Sequence, residues 1–544
     1  MKRPGLAGAT LLLVVLTGVV THAQLRKQAR DGGPIQALTA AERAALGDPL
    51  FTLVLKTAPA PTTLDAIEQK LIGAAADRRR LFVVHEESLD PTRPAFRRAV
   101  LTYRGSTAPA GSLQPNIALS VSFNDTGFST DDLEAWGWDN RNSRYNYYRL
   151  DRQTGEAGLT WKFRGSSVGA DALSKTARGG TCMRCHVNGG PVMKELPLPW
   201  NNWHSSKAPL DYLDGLGTGD WSIAADPRFR QLADALTLEV DVIVPSIKQF
   251  NGRRVKALVR ALPGGATSEV TDARRLLKPL FVSTEYNLAS ARQPSGLHPF
   301  PAVGTGPAEA VAVPDSFFLN ANLFAGGGPL GYRGLSAQDA REFGSVLAIT
   351  PAEYRQLVED FHTTVGDAQF DTQFAWFTPE ASHIDNHMVE VLVREGGITP
   401  EFAASVLAVD LETPVFSDAR ASLLLRFVPA TFRFTPRAAD DVPAAHPDAL
   451  TRTVIQAIRA AGTPAAGSPE ATLLGLLEDP DPLERVRELV RAYLQRERNA
   501  LTGSGRAAEL RRLYTRLLDR REKARAAVPD IVESTFLFPI GSGQ

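Results

Sequence analysis

The 544-residue sequence predicts an α+β fold, with a β-rich N-terminal region followed by a mainly α-helical C-terminal region. Two patterns carry that expectation. Ile117, Leu119, Val121 and Phe123 alternate with Ala118, Ser120 and Ser122, which is the period of a half-buried strand. Past about residue 210, Thr-Pro pairs and amphipathic runs take over, the pattern of capped helices.

The elements follow in chain order. Lys2 and Arg3 precede the apolar run Leu11–Leu16, which continues through Val19-Val20. Thr21-His22-Ala23 then offers small residues where a signal peptidase reads them. Residues 1–23 are therefore expected to be a cleaved leader, and the run is too short for a comfortable membrane span. Phe51–Lys56, Leu81–Glu86 and Ala99–Tyr103 are β-rich runs, whereas Thr63–Ile72 is helical. Tyr145–Leu150 and Leu159–Phe163 flank a turn-forming sequence and predict a hairpin. Trp136, Trp138, Trp161, Trp200 and Trp203 cluster in or just after this region, as the wall of a cofactor pocket or as a β core.

In the C-terminal region Thr350-Pro351, Thr378-Pro379 and Thr399-Pro400 each place a capping hydroxyl before a proline. The middle pair leads into a helix closed by Gly396-Gly397, with Ile384, Met388, Val391 and Leu392 on its apolar face. His383 and His387 lie one turn apart on an adjoining stripe. That spacing suits a metal site or an iron ligand, and equally one surface histidine beside one held by hydrogen bonds. Gln293–Pro314 and Ala460–Pro469 are rich in Pro, Gly and Ala and read as linkers or surface loops. Leu483, Val486, Val490, Tyr493 and Leu494 mark one helix, and Leu510, Leu513, Tyr514, Leu517 and Leu518 mark a second. Thr502–Gly505 joins them into a helical hairpin. The expected division is a leader at 1–23, a β-rich domain at 24–209, a helical domain at 210–460 and the hairpin at 461–544.

The chemistry concentrates in Cys182-Met183-Arg184-Cys185-His186, which holds the only two cysteines of the chain. Cys-x-x-Cys-His is the attachment signature of a c-type haem. Two thiols one helical turn apart each add to a haem vinyl group, and His186 is then held beneath the iron as proximal ligand. Three other chemistries use the same side chains. A closed zinc site needs a fourth ligand, and no second Cys/His cluster of zinc spacing accompanies the motif. A thioredoxin-like pair belongs in a βαβ pattern, which Ala177–Thr181 does not suggest. A plain disulfide leaves His186 without a role.

The motif resembles that of mono-haem c-type cytochromes. A strand-rich segment with the motif at its end is similar to the β-sheet, c-prime-beta, class of that family across residues 80–205. The resemblance implies one covalently attached haem c on Cys182, Cys185 and His186, attached outside the cytoplasmic membrane. It also implies an iron that can lack a strong sixth ligand. Met193, His204 and, more remotely, His387 are the candidates for that sixth position.

Sixty basic residues balance sixty acidic ones, which gives no reason to expect nucleic acid as partner. The expected protein is exported, periplasmic in a bacterium, and not stably inserted in a membrane once its leader is removed. Its expected role is one-electron transfer with a redox partner protein. The alternatives are a haem-dependent oxygenase, peroxidase or isomerase acting on a small-molecule substrate, or a haem-based gas sensor or binding module.

Overall fold

The computed structural model describes residues 34–74, 77–86, 96–105, 115–124, 127–152, 158–167, 222–233, 235–282, 286–289, 311–312, 318–319, 348–350, 352–353, 356, 378–381, 383–414, 417–436 and 448–527. The fold is α+β, with strands gathered in the N-terminal part and helices in the C-terminal part. The chain divides into two compact units, residues 1–81 with 99–190, and residues 82–98 with 191–544.

In the first unit, α1 (Leu64–Gly73) opens at Thr63, whose side chain accepts a hydrogen bond from Ala66 N. Leu64, Ile67 and Leu71, at helical spacing, are buried. Of the strands, β1 (Asp77–Glu86) and β2 (Phe96–Arg104) straddle the division between the units, while β3 (Ile117–Phe123), β4 (Phe128–Asp139), β5 (Arg144–Asp151) and β6 (Thr160–Ser166) lie wholly in the first, in spatial order as in sequence. The pairs β3–β4, β4–β5 and β5–β6 are antiparallel. The alternation of 117–123 is a real strand, and 145–150 with 159–163 is a real hairpin.

Two readings of this part need correction. Phe51–Lys56 is not a strand: Phe51–Leu55 is a wide helical turn, closed by Lys56 N–H donating to Phe51 O at 2.8 Å. Asp48 caps it by accepting from Phe51 N, and Leu50, Phe51, Val54 and Leu55 bury together. Helical packing there overrides the β propensity of Phe-Thr-Leu-Val-Leu. The twelve-residue β4, missed in the sequence, is hidden by acids: Asp131, Asp132 and Glu134 interrupt its apolar pattern.

In the second unit, α2 (Val244–Leu258) is followed by β7 (Val259–Ala261) and β8 (Ser268–Val270). Next come α3 (Ala273–Phe281), α4 (His383–Arg394), α5 (Pro400–Ala408), α6 (Asp418–Phe427) and β9 (Phe432–Phe434). β7, β8 and β9 form a small antiparallel sheet with β8 central. The helix α5 is buried all round, from Phe402 through Ala408, and Thr399 caps it as expected. It packs against α3 and against α8 (Pro469–Leu477) and α9 (Pro482–Thr502), with α7 (Ala449–Ala460) touching α8.

The hairpin of α9 and α10 (Arg506–Ala527) is present, with Leu483, Val486, Val490, Tyr493 and Leu494 buried on α9 and Leu510 and Leu513 on α10. Thr378-Pro379 does not open a helix. Thr378–Ala381 is a short strand paired with Tyr286–Ala289, and α4 begins at His383. The extended backbone that proline imposes on the residue before it suits a strand as well as a helix cap. Gly396-Gly397 does close α4. Gly397 N–H reaches Leu392 O, Gly396 N–H reaches Val393 O, and Gly396 takes φ 77°.

Candidate functional site

Cys182, Cys185, His186, Met193 and His204 lie outside the described residues, as do Trp200, Trp203 and residues 1–23, where a leader is expected. Of the sequence-derived candidates, His387 is the one whose side chain can be placed. Among the described residues no group of three or more His, Cys, Asp or Glu is arranged to hold a metal ion. No described helix is long and apolar enough to cross a membrane.

His387 sits on α4 and is buried together with Met388, Val389, Val391 and Leu392, so Met388 is a core methionine. Its Nδ1 lies 3.3 Å from Asn251 Nδ2 on α2. Arg254 Nη1 donates to Asn251 Oδ1 at 3.4 Å, which orients the amide with its NH2 toward the imidazole. His387 Nδ1 is therefore the acceptor, and Nε2 carries the proton. A histidine that binds metal through Nε2 has the opposite polarity, donating from Nδ1. Burial, with the charges of Lys248 and Arg394 adding to it, brings the His387 pKa down to about 4, so the ring is neutral at pH 7.

The first unit contains a buried polar cluster that the sequence reading missed. Asp48 has no exposed surface. Its carboxylate accepts from Phe51 N at 2.9 Å, Asn146 Nδ2 at 2.7 Å and the Tyr148 hydroxyl at 2.5 Å. All three donors are neutral. Asn146 and Tyr148 stand on one face of β5, and Gly137, paired with Asn146 across β4, leaves the room Asp48 occupies. A Cβ on Gly137 would fall 2.3 Å from Asp48 Oδ1. Asp139, also buried, accepts from Gly47 N at 2.9 Å and from Asn142 N and Nδ2. Arg141, Asn142 and Arg144 donate to the carbonyls of Ala44 and Ala45. Together these bonds fasten the segment before α1 to the β4–β5 hairpin.

Burial raises the pKa of Asp48, and the nearby Asp139 charge adds to that against the three hydrogen bonds. Burial and the adjoining Asp48 push Tyr148 well above the usual phenol value, so at rest its proton stays on oxygen. The signal in the sequence was slight, an aspartate in Gly47-Asp48-Pro49-Leu50-Phe51 and another after Trp136-Gly137-Trp138.

The tryptophans divide between the faces of the sheet. Trp161 donates Nε1–H to Pro61 O at 2.7 Å and is fully buried. Trp136 and Trp138 alternate with Gly137, on the face opposite Asp48, and both pack on Tyr145 with ring centroids at 5.1 and 4.7 Å. On that face Asp151 pairs with Lys162, Arg164 and Arg149, whose charges hold its carboxyl below the usual range despite partial burial.

Compared with protein-family models, curated proteins and solved structures, the chain matches none.

Proposed function

We propose that this chain is an exported mono-haem c-type cytochrome, with one haem c bonded to Cys182 and Cys185 and ligated by His186, acting in one-electron transfer with a redox partner protein. The observation that carries this reading is the motif: the chain's only two cysteines stand three apart with a histidine directly after them. Two thiols and an imidazole form the donor set that covalent haem needs. The basic, apolar and small-residue run at 1–23 points the same way, because c-type attachment occurs outside the cytoplasmic membrane. A periplasmic location in a bacterium follows. Met193 and His204 are the candidates for the sixth iron position; His387 is held as an acceptor by Asn251 and is set aside.

Extraction with acid-acetone tests the reading, since thioether bonds survive where coordination does not. Protein matured with c-type machinery keeps its haem, and Cys182→Ala with Cys185→Ala releases it. Haem that washes out of the unaltered protein overturns the proposal.

One observation favours a second reading, a haem-dependent oxidoreductase. A single-haem carrier needs only about 100 residues, the scale of one domain. Here a large helical unit follows the strand-rich one. Carbon monoxide separates the two: an unchanged ferrous spectrum means a six-coordinate carrier, and a shifted one means an iron open to substrate or to a sensed gas.

A further inference from the structure

We infer that Tyr148 and Asp48 form a proton-coupled redox pair, in which the phenol gives up one electron to a strong one-electron oxidant while its proton passes to the carboxylate. In that step the Tyr148 O–H bond breaks, the proton binds Asp48 Oδ2, and the oxidant takes the electron. The products are a neutral phenoxyl radical and a neutral carboxylic acid. Returning an electron to the ring returns the proton to oxygen. The physiological oxidant would have to be of the class a peroxide-oxidised haem supplies, so that assignment rests on the second, haem-dependent oxidoreductase reading above, whereas the pair itself does not.

The geometry carries the inference. Oxidising a phenol that cannot release its proton leaves a cationic radical, costly in a low-dielectric interior. Tyr148 is fully buried, and its hydroxyl already points at a carboxylate oxygen 2.5 Å away. Asp48 takes its three hydrogen bonds from neutral groups, so the incoming proton neutralises a buried charge and breaks no ion pair there. The charged groups acting on the pair are Asp139 and Arg144. Asn146 Nδ2 and Phe51 N hold the carboxylate in place, and Ser166 Oγ donates to Asn146 Oδ1 at 2.6 Å behind it. Gly137 closes the remaining side against the carboxylate, so little has to move when the proton does. The Tyr148 ring packs against Phe163 with centroids 5.8 Å apart, in a site sealed from water. Burial raises Asp48, making it a stronger base than a surface carboxylate, which favours the same transfer.

A purely structural bond would look similar at rest, so the test reads the oxidised state. Photogenerated ruthenium(III) tris-bipyridine serves as oxidant, and the tyrosyl radical is followed by transient absorption and by paramagnetic resonance of frozen samples. The chain has ten tyrosines, so location depends on variants. Tyr148→Phe, which keeps the ring and its packing, should remove most of the long-lived radical. Asp48→Asn cannot take the proton and should slow radical formation about a hundredfold, the scale of a positioned proton acceptor. Circular dichroism checks that both variants fold. A solvent deuterium isotope effect on oxidation of the unaltered protein needs no substitution at all. A radical undiminished in Tyr148→Phe overturns the inference, as does an absent isotope effect. Tyr103, which donates to Glu68 at 2.6 Å, is the other buried phenol–carboxylate pair; a radical lost in Tyr103→Phe and kept in Tyr148→Phe also overturns it. None of these outcomes depends on whether the protein carries haem.

Discussion

Single buried polar residues carry much of what is specific in this molecule. Arg420 on α6 is 1% exposed and donates to the carbonyls of Phe281, Asp410, Thr413 and Pro414, so one guanidinium satisfies four backbone acceptors. Burial lowers its pKa to about 10, with Asp410 opposing the shift, and it remains a cation at neutral pH. Arg420→Met leaves those carbonyls buried without donors and should cost about 3 kcal/mol or more in urea unfolding. Arg420→Lys should rescue little, because an ammonium lacks the planar fork. His387 gives a pH signature of opposite sign to a histidine held as a cation in an ion pair. Its folded pKa, about 4, lies below the ordinary 6.5, so the folded state binds fewer protons than the unfolded one between those values. Its contribution is fully present above about pH 6.5 and is lost as pH falls toward 4. Urea midpoints measured at pH 7 and pH 5 should drop for the natural protein, and the drop should shrink in His387→Gln.

At the scale of elements, the C-terminal hairpin joins apolar packing to a buried charge. Glu497 on α9 is 1% exposed and accepts from Arg512 and Arg516 on α10. Glu497→Ala leaves two guanidinium groups without that acceptor and should destabilise the hairpin by about 2 kcal/mol, less than a fully buried pair because Arg512 is partly solvated. Amide exchange in α10 should quicken while that of β3 to β6 does not change. The hairpin was legible in the sequence because five apolar residues of α9 recur at helical spacing and a Gly-Ser-Gly joint follows. Glu497 was not, since a glutamate among arginines on a long helix reads as a solvated face. Arg506 at the start of α10 pairs with Glu353, and that pairing, with bonds from Thr350, holds Glu353 at about 2. The contribution of this contact is present above about pH 4.5 and fades as pH falls toward 2.

Over the whole molecule, legibility follows how local the determining interaction is. The alternation of β3, the β5–β6 hairpin, the Thr399 cap and the Gly396-Gly397 stop depend on neighbours a few residues away, and each reads directly from the chain. The wide turn at Phe51–Leu55 depends on Asp48 and on burial against distant residues, and its β-prone composition points elsewhere. The Asp48, Asn146 and Tyr148 cluster joins residues about a hundred positions apart, so no window of sequence contains it. The proposed haem site is the converse case, a reaction whose partners would fit in five consecutive residues, Cys182 to His186. Its most direct test is mass analysis of the exported, matured protein after proteolysis. The peptide spanning Cys182 and Cys185 should carry the mass of one haem bonded through both thiols, on a chain that begins near Gln24. The same peptide recovered with two free thiols, or with a Cys182–Cys185 disulfide and no haem, would contradict the account.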